Sequence, residues 1–307
     1  MINWRQTPRI EHIKGDTWCI VTGYVRIPFF KLDARHIVMM DSGLMNPDRE
    51  GIFKALDEAG LRVHSILTSH THIDHTGNHK ALKERYDCEV YMTPFDAAVA
   101  SSPLCMKTYM YGSSYRSVLQ YSREMFCKTD HFILPEQKKI NIEDFNFKVL
   151  NLPGHGPEHL GFVTPDNVAY LGDLLISEDV MDSIRIPYVT SIELDLESKK
   201  NITLFNYDYY ILAHNSVETD IKELSEHNIE SLLEKAKSIT SLASDWCSLE
   251  NIVASGIKTF GVDGDTIYKI VVSERNIRAF VDDLVDTGEL ITRIKDGVIE
   301  FINTEYI

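Results

Sequence analysis

The sequence has no apolar run approaching the ~20 residues that cross a bilayer, and its mean hydropathy is −0.16. No membrane span is therefore expected. The segment Met1–Gln6 carries no apolar stretch of the kind that opens a secretory signal. Cysteine is scarce. The five present, Cys19, Cys88, Cys105, Cys127 and Cys247, are odd in number, far apart and without a CxxC pair. That excludes a disulfide framework and makes reduced thiols in the cytoplasm the expectation. Positive charge is in short supply too. Lys and Arg number 31 against 46 Asp and Glu, a net of −15. Nucleic-acid phosphates need a basic face, so no nucleic-acid partner is expected. Internal repeats and low-complexity tracts are absent, and no Ser or Cys stands in a recognisable nucleophile elbow.

What remains is an ordinary globular composition, 44% hydrophobic and 25% charged over 307 residues. That length suits one large domain with a small appendage. Alternating and β-rich runs predict strands at 17–22, 36–40, 63–68, 89–92, 145–152, 160–164, 168–171 and 209–213. Helices are predicted at 48–59, 78–86, 196–205 and 219–238. Two strand-rich halves with interspersed helices imply two sheets packed face to face with helices outside. The stretch 101–130 reads as a long irregular insert. Its aromatic and sulfur-bearing residues, Met106, Tyr109, Met110, Tyr111, Tyr115, Tyr121, Met125 and Phe126, stand among Lys107, Arg116, Arg123 and Lys128. Two readings stay open for it: a lid over an anionic or acyl substrate, or a helical element packed on the body or on a second subunit. After about residue 248 two helices, 249–257 and 274–287, precede a hairpin turning at Lys295-Asp296-Gly297. The division expected is thus 1–247 and a winged-helix-like module at 248–307. Residues 251–307 carry 6 basic and 10 acidic side chains. That makes the module a packing or dimerisation element. Arg275 and Arg278 on its second helix stand among Glu274, Asp282, Asp283 and Asp286, a poor fit to a major groove.

The chemistry concentrates in Thr68-Ser69-His70-Thr71-His72-Ile73-Asp74-His75. Four metal-capable side chains occupy six positions directly after a strand. His70 and His72, two apart in extended backbone, project to the same side and can reach one ion. Asp74 and His75 follow where the chain turns into a helix. Three more strand ends carry single candidates: Pro153-Gly154-His155, with His159 four residues on, Gly172-Asp173, and Ala213-His214. Together these supply five histidines and two aspartates, the complement for two divalent ions.

The set HxHxDH, PGH, GD and a late His resembles the metallo-β-lactamase-fold hydrolase superfamily over about residues 10–240. The resemblance implies an α/β fold, a four-layer αβ/βα sandwich with its site at one edge between the sheets. It implies one ion on His70, His72 and His155, a second on Asp74, His75 and His214, and Asp173 bridging them. It also implies that Asp41, in Met40-Asp41-Ser42-Gly43, supports the His loop, and that His159 orients its neighbours without binding metal. Gly156 and Glu158 depart from the Thr and Gly frequent at those positions in the thioesterase branch.

Such a site lowers the pKa of bound water and favours an anionic transition state, with Asp74 as a proton acceptor. Zinc is the first choice of metal, with iron or manganese suited as well. The function expected is a dinuclear hydrolase that uses a bridging hydroxide on a small ester, thioester or lactone. The partners expected are that small molecule and, through the insert or the C-terminal module, a second copy of the chain. The alternatives are a nuclease or phosphodiesterase, a mononuclear iron persulfide dioxygenase, and a ligand-sensing DNA-binding regulator.

Overall fold

The computed structural model describes residues 7–110, 114–181, 183–214 and 216–307. Met1–Gln6 and Tyr111 lie outside the described residues. The first sheet runs in chain order: β1 (Arg9–Lys14), β2 (Thr17–Val21), β3 (Arg26–Lys31), β4 (His36–Met40), β5 (Arg62–Leu67), β6 (Glu89–Met92) and β7 (His131–Phe132). Its first four strands form an antiparallel meander, and β4 to β7 run parallel. The second sheet holds β8 (Lys139–Ile142), β9 (Phe145–Asn151), β10 (Leu160–Val163), β11 (Val168–Tyr170), β12 (Tyr209–Leu212) and β13 (Ser216–Glu218), also in chain order. Only β11 and β12 are parallel in it.

Alternation along the strands sorts the side chains into layers. On β4, Ile37 and Met39 face outward onto α1 (Arg49–Glu58), α3 (His79–Tyr86) and α4 (Pro94–Ser101), through Ile52, Leu56, Leu82 and Ala97. The four-residue α2 (Ile73–Thr76) lies between α1 and α3 in the chain. Val38 and Met40 face the other way and meet Phe147, Val149, Leu160 and Phe162 of the second sheet. The outer face of that sheet, through Leu150, Val163, Ala169 and Leu212, packs on α8 (Ile192–Ile202) and α9 (Lys222–Ser241). The result is the four-layer αβ/βα sandwich. Truncating Phe162, fully buried between the sheets, would cost about 3–5 kcal/mol.

Two predicted segments differ from what forms. The stretch 101–130 is not irregular: it contains α5 (Pro103–Tyr109) and α6 (Tyr115–Ser122), each started by a serine whose side chain accepts a backbone N–H. They bury Met106, Val118 and Met125 against Val99 and Ile73, so the insert is anchored to the His loop itself. Its cations Lys107, Arg116, Arg123 and Lys128 are exposed. A short α7 (Glu178–Met181) follows β11 and precedes α8. The last part holds β14 (Cys247–Ser248), α10 (Leu249–Thr259), α11 (Ile267–Asp286), β15 (Leu290–Lys295) and β16 (Val298–Asn303), the strands ordered β14-β16-β15. Here α11 starts two turns earlier than the sequence suggested. Thr266 caps it by accepting from Lys269 N–H, and a helical run absorbs the β-branched Ile270-Val271-Val272. Its core is shared with the sandwich: Ile252, Ile277, Phe280 and Leu284 pack on Leu232, Ala236 and Ile239 of α9 and on Ile186, Val189 and Ile192. Among the described residues no helix is long and apolar enough to cross a membrane.

Candidate metal centre

The ends of β4, β5, β9, β11 and β12 deliver Asp41, the 68–75 loop, the 153–159 loop, Asp173 and His214 to one place. Asp41 sits in left-handed backbone, φ 64°, a region Asp tolerates better than most residues. Its carboxylate is buried and takes four hydrogen bonds. Oδ1 accepts from Ser69 N–H at 2.7 Å. Oδ2 accepts from Ser69 Oγ at 2.6 Å, His75 Nδ1 at 2.8 Å and Tyr170 Oη at 2.6 Å. The loop is thereby fixed near its start, at Ser69, and at its end, at His75. Asn78 secures the next turn, donating to the carbonyls of Ser42 at 2.8 Å and Leu44 at 2.9 Å. His79, fully buried, spans Ser42 Oγ and Thr68 Oγ1.

Seven predicted residues come together in two groups that share one member. His70, His72, His155 and Asp173 form the first group; Asp74, His75, Asp173 and His214 form the second. Within each group the candidate ligand atoms lie within 4.8 Å of one another. In the first, His72 Nδ1 stands 2.9 Å from His70 Nε2 and 3.2 Å from His155 Nε2. Asp173 divides its carboxylate between the groups. Oδ2 lies 3.3 Å from His155 Nε2 and 3.8 Å from His70 Nε2. Oδ1 lies 3.2 Å from His75 Nε2 and 3.4 Å from His214 Nε2. Asp74 Oδ2 completes the second group, 3.5 Å from His214 Nε2.

The nitrogens turned away from these centres are held from behind. His70 Nδ1 meets Ser69 Oγ at 3.0 Å, His75 Nδ1 meets Asp41, and His214 Nδ1 meets the Tyr24 carbonyl at 3.3 Å. Such partners fix ring orientation and tautomer, leaving the inward nitrogen bare. His159 is different: Nδ1 donates to the Leu152 carbonyl at 3.2 Å while Nε2 accepts from Asp173 N–H at 3.1 Å. Both its nitrogens are engaged, and its effect is to hold the Asp173 backbone.

Two glycines make these approaches possible. Gly154, at φ +131°, would put a Cβ 2.2 Å from the Asp195 Cα, and Gly172, at φ +53°, would put one 2.5 Å from His159 Nε2. Only glycine satisfies both the backbone and the space. Glu158 accepts from Phe95 N–H at 2.9 Å, tying the 153–159 loop to the start of α4.

The residues fit divalent cations on three observations. His75 Nε2 and Asp173 Oδ1 are buried, 3.2 Å apart, and neither makes a hydrogen bond. Such orphaned groups cost stability unless something satisfies them. Burial drives His70 and His72 well below the ordinary imidazole value and His155 down to about 3. They are neutral, which is the ligating form. In the second group burial opposes charge, yet Asp173 and Asp74 outweigh it, holding His75 well above the ordinary value and His214 up to about 8. That half of the site draws in positive charge.

Sequence reasoning passed over several contributors. Ser69 and Tyr170 hold Asp41. Tyr188, between α7 and α8, lies edge-on to His72 with centroids 4.4 Å apart. Arg275, weighed from the sequence only as part of a helix that fits a major groove poorly, lies over the rings of Tyr109 and Tyr188. No local motif marks any of them. A small cleft of about 40 Å³ opens beside His155 and Asp173, lined also by Met181, Ile184, Tyr188 and Leu232.

The profile of the metallo-beta-lactamase superfamily matches residues 33–214. The hydroxyacylglutathione hydrolase GloC of Haemophilus influenzae is 25% identical over 199 residues, 64% of this chain and 87% of that protein. A probable metallo-hydrolase of Bacillus subtilis, YqgX, is 27% identical over 141 residues, 45% of this chain and 60% of its own length. Among solved structures, a metallo-beta-lactamase family protein from Thermus thermophilus superposes with a TM-score of 0.69 at 13% identity, covering 97% of both chains. A beta-lactamase domain protein from Burkholderia ambifaria gives 0.70 at 16% identity, covering 96% and 94%. With the profile spanning more than half its length, the chain belongs to the metallo-beta-lactamase superfamily, as a metal-dependent hydrolase.

Proposed function

We propose that the protein is a dinuclear hydrolase of a small ester, thioester or lactone, with acyl thioesters favoured by its hydroxyacylglutathione hydrolase relatives. The observation that carries this reading is the Asp173 carboxylate, which places one oxygen in each of two His/Asp groups. His70, His72 and His155 would hold one ion, Asp74, His75 and His214 the other, and Asp173 would be shared. A majority of imidazole ligands favours zinc; the carboxylates suit iron or manganese too. When bound, two such cations supply hydroxide near neutral pH and a positive field for the transition state.

The chain's own residues do the rest. Burial keeps the first-group imidazoles neutral, and Asp41 holds the proton of His75 on Nδ1. Asp74, whose side chain is 13% exposed, stands at the rim, where it accepts the proton of the attacking water and passes it to the leaving group. The cleft beside His155, lined in part by Met181, Ile184 and Leu232, offers an apolar wall to a small acyl chain. The test is elemental analysis of natively purified protein with a panel of esters, thioesters, lactones and phosphodiesters. Two ions per chain and chelator-sensitive turnover of a carboxylic ester or thioester are expected. One ion per chain at full activity would overturn the dinuclear reading, and turnover confined to phosphodiesters would overturn the substrate class.

A further inference from the structure

Three segments distant in sequence meet over the first group of ligands. Tyr109 ends α5, Tyr188 lies in the loop before α8, and Arg275 comes from α11. The two hydroxyls are 2.8 Å apart. Tyr109 Oη also lies 3.5 Å from His72 Nε2. The Arg275 guanidinium sits 4.4 Å from the Tyr109 ring centroid and 4.5 Å from that of Tyr188. In a chain with 46 acidic residues, no carboxylate pairs with Arg275 among the described residues, and its Nη1 is buried without a hydrogen bond. The two aromatic faces are its counterpart, an arrangement that favours a cation near the ring.

The Tyr188 loop is held from both sides. Thr190 donates from N–H and Oγ1 to the Gly154 carbonyl at 2.7 and 2.8 Å, fixing it to the His155 loop. Asn276 of α11 donates to the Ile186 carbonyl at 3.3 Å, and Ile186 and Val189 are buried in the shared core. A loop fixed this firmly places its tyrosine with little freedom.

Proton counting allows the network a direction that leaves a donor on the cleft side. His72 offers Nδ1 to the first group, so Nε2 carries its proton. That N–H points to Tyr109 Oη, an acceptor. Either hydroxyl of the Tyr109–Tyr188 pair can be the donor; we take the Tyr109 O–H to donate to Tyr188 Oη. The Tyr188 O–H is left as the terminal donor, with no acceptor among the described residues, on a side chain that lines the cleft beside His155 and Asp173.

Resting on the hydrolase reading above, we propose that Tyr188 is a catalytic residue whose hydroxyl donates a hydrogen bond to the substrate carbonyl oxygen as that oxygen gains charge. Tyr109 and Arg275 are positioning residues that aim and polarise it. No proton is transferred; the donor is preorganised where negative charge develops, the circumstance in which one hydrogen bond contributes most to rate.

The experiment compares Y188F, Y109F, the double variant, R275Q and R275K in zinc-loaded protein. Y188F should lower kcat by about a hundredfold with little change in KM, metal content or unfolding temperature. Y109F should lose less, under about tenfold, and that loss should vanish in the Y188F background because it acts through Tyr188. R275K should retain most of what R275Q loses. A second readout is affinity for phenylboronic acid, whose tetrahedral anion presents charged oxygens, measured by calorimetry. It should weaken in Y188F by about the same factor as kcat. Equal boronate affinity in wild type and Y188F would overturn the proposal even if no tested ester is a substrate. Independent, additive losses from Y109F and Y188F would overturn the relay. Absence of turnover by wild type across the panel, with boronate discrimination intact, would instead overturn the hydrolase reading.

Discussion

Asp41 has four hydrogen bonds and two oxygens, and that arithmetic makes it irreplaceable by its amide. Asparagine has one acceptor oxygen, so either Ser69 or His75 loses its partner. If an NH₂ group faced His75 Nδ1, the imidazole would move its proton to Nε2, the nitrogen needed inward. D41N should therefore weaken the second ion by about 10–100-fold with the first little affected. Competition with a chelating indicator measures this, and unchanged affinity for both ions would show that Asp41 only ties the loop. Asp173 acts otherwise: it contacts both ligand groups and fills no apolar core. D173A should lose turnover by orders of magnitude while keeping the circular dichroism spectrum of the parent. Near-normal turnover in the metal-loaded variant would show that no shared carboxylate is needed.

Among the elements, α4 is anchored to the His loop by a buried acid. Thr71 and Thr93 hydroxyls donate to Asp96, while Thr93 Oγ accepts from Asp96 N–H. Burial nonetheless pushes the Asp96 carboxyl up to about 6 from its ordinary 3.8. Between those values the folded chain keeps a proton the unfolded chain has released. This contribution to stability is complete below about pH 4 and is lost as pH rises through about 6. D96N should thus be more stable than wild type at pH 8 by an amount on the order of 2 kcal/mol, an advantage that fades towards pH 4. Urea unfolding across that range checks it, and a pH-independent difference would remove Asp96 as the cause. The strands that frame the site were legible because their apolar residues alternate or run unbroken, and the His loop because four ligands sit within six positions. β3 was hidden by Pro28 in its middle, and the start of α11 by Ile270-Val271-Val272, whose β-branched side chains are weak helix formers. The two insert helices had serine caps and, at Pro103, a helix-starting proline, but each is only seven or eight residues long, too short for a clear period. Tyr188 and Arg275 were out of reach for another reason. Their roles come from contacts across 79 to 166 positions, which no local pattern encodes.

For the molecule as a whole, the apolar cluster joining α9, α10, α11 and the 186–192 segment decides how the last sixty residues behave. Truncation near Asp245 would strip cover from Leu232, Ala236 and Ile239. The shortened protein should unfold at lower temperature or aggregate, and a parental unfolding temperature would contradict the shared core. Affinity for DNA or RNA should be absent at ~150 mM salt, since the module's net charge repels phosphates before contact. A gel shift lost on truncation would reverse that expectation. The same cluster bears on how the protein is born. Synthesis runs from the N-terminus, and domains tend to fold as they emerge. All seven residues proposed as ligands precede residue 215, so they are translated before α11. Tyr188 then lacks the helix that holds its loop, and Arg275 does not yet exist. The order of translation thus places the residues proposed to hold the cations ahead of those that complete the wall around Tyr188.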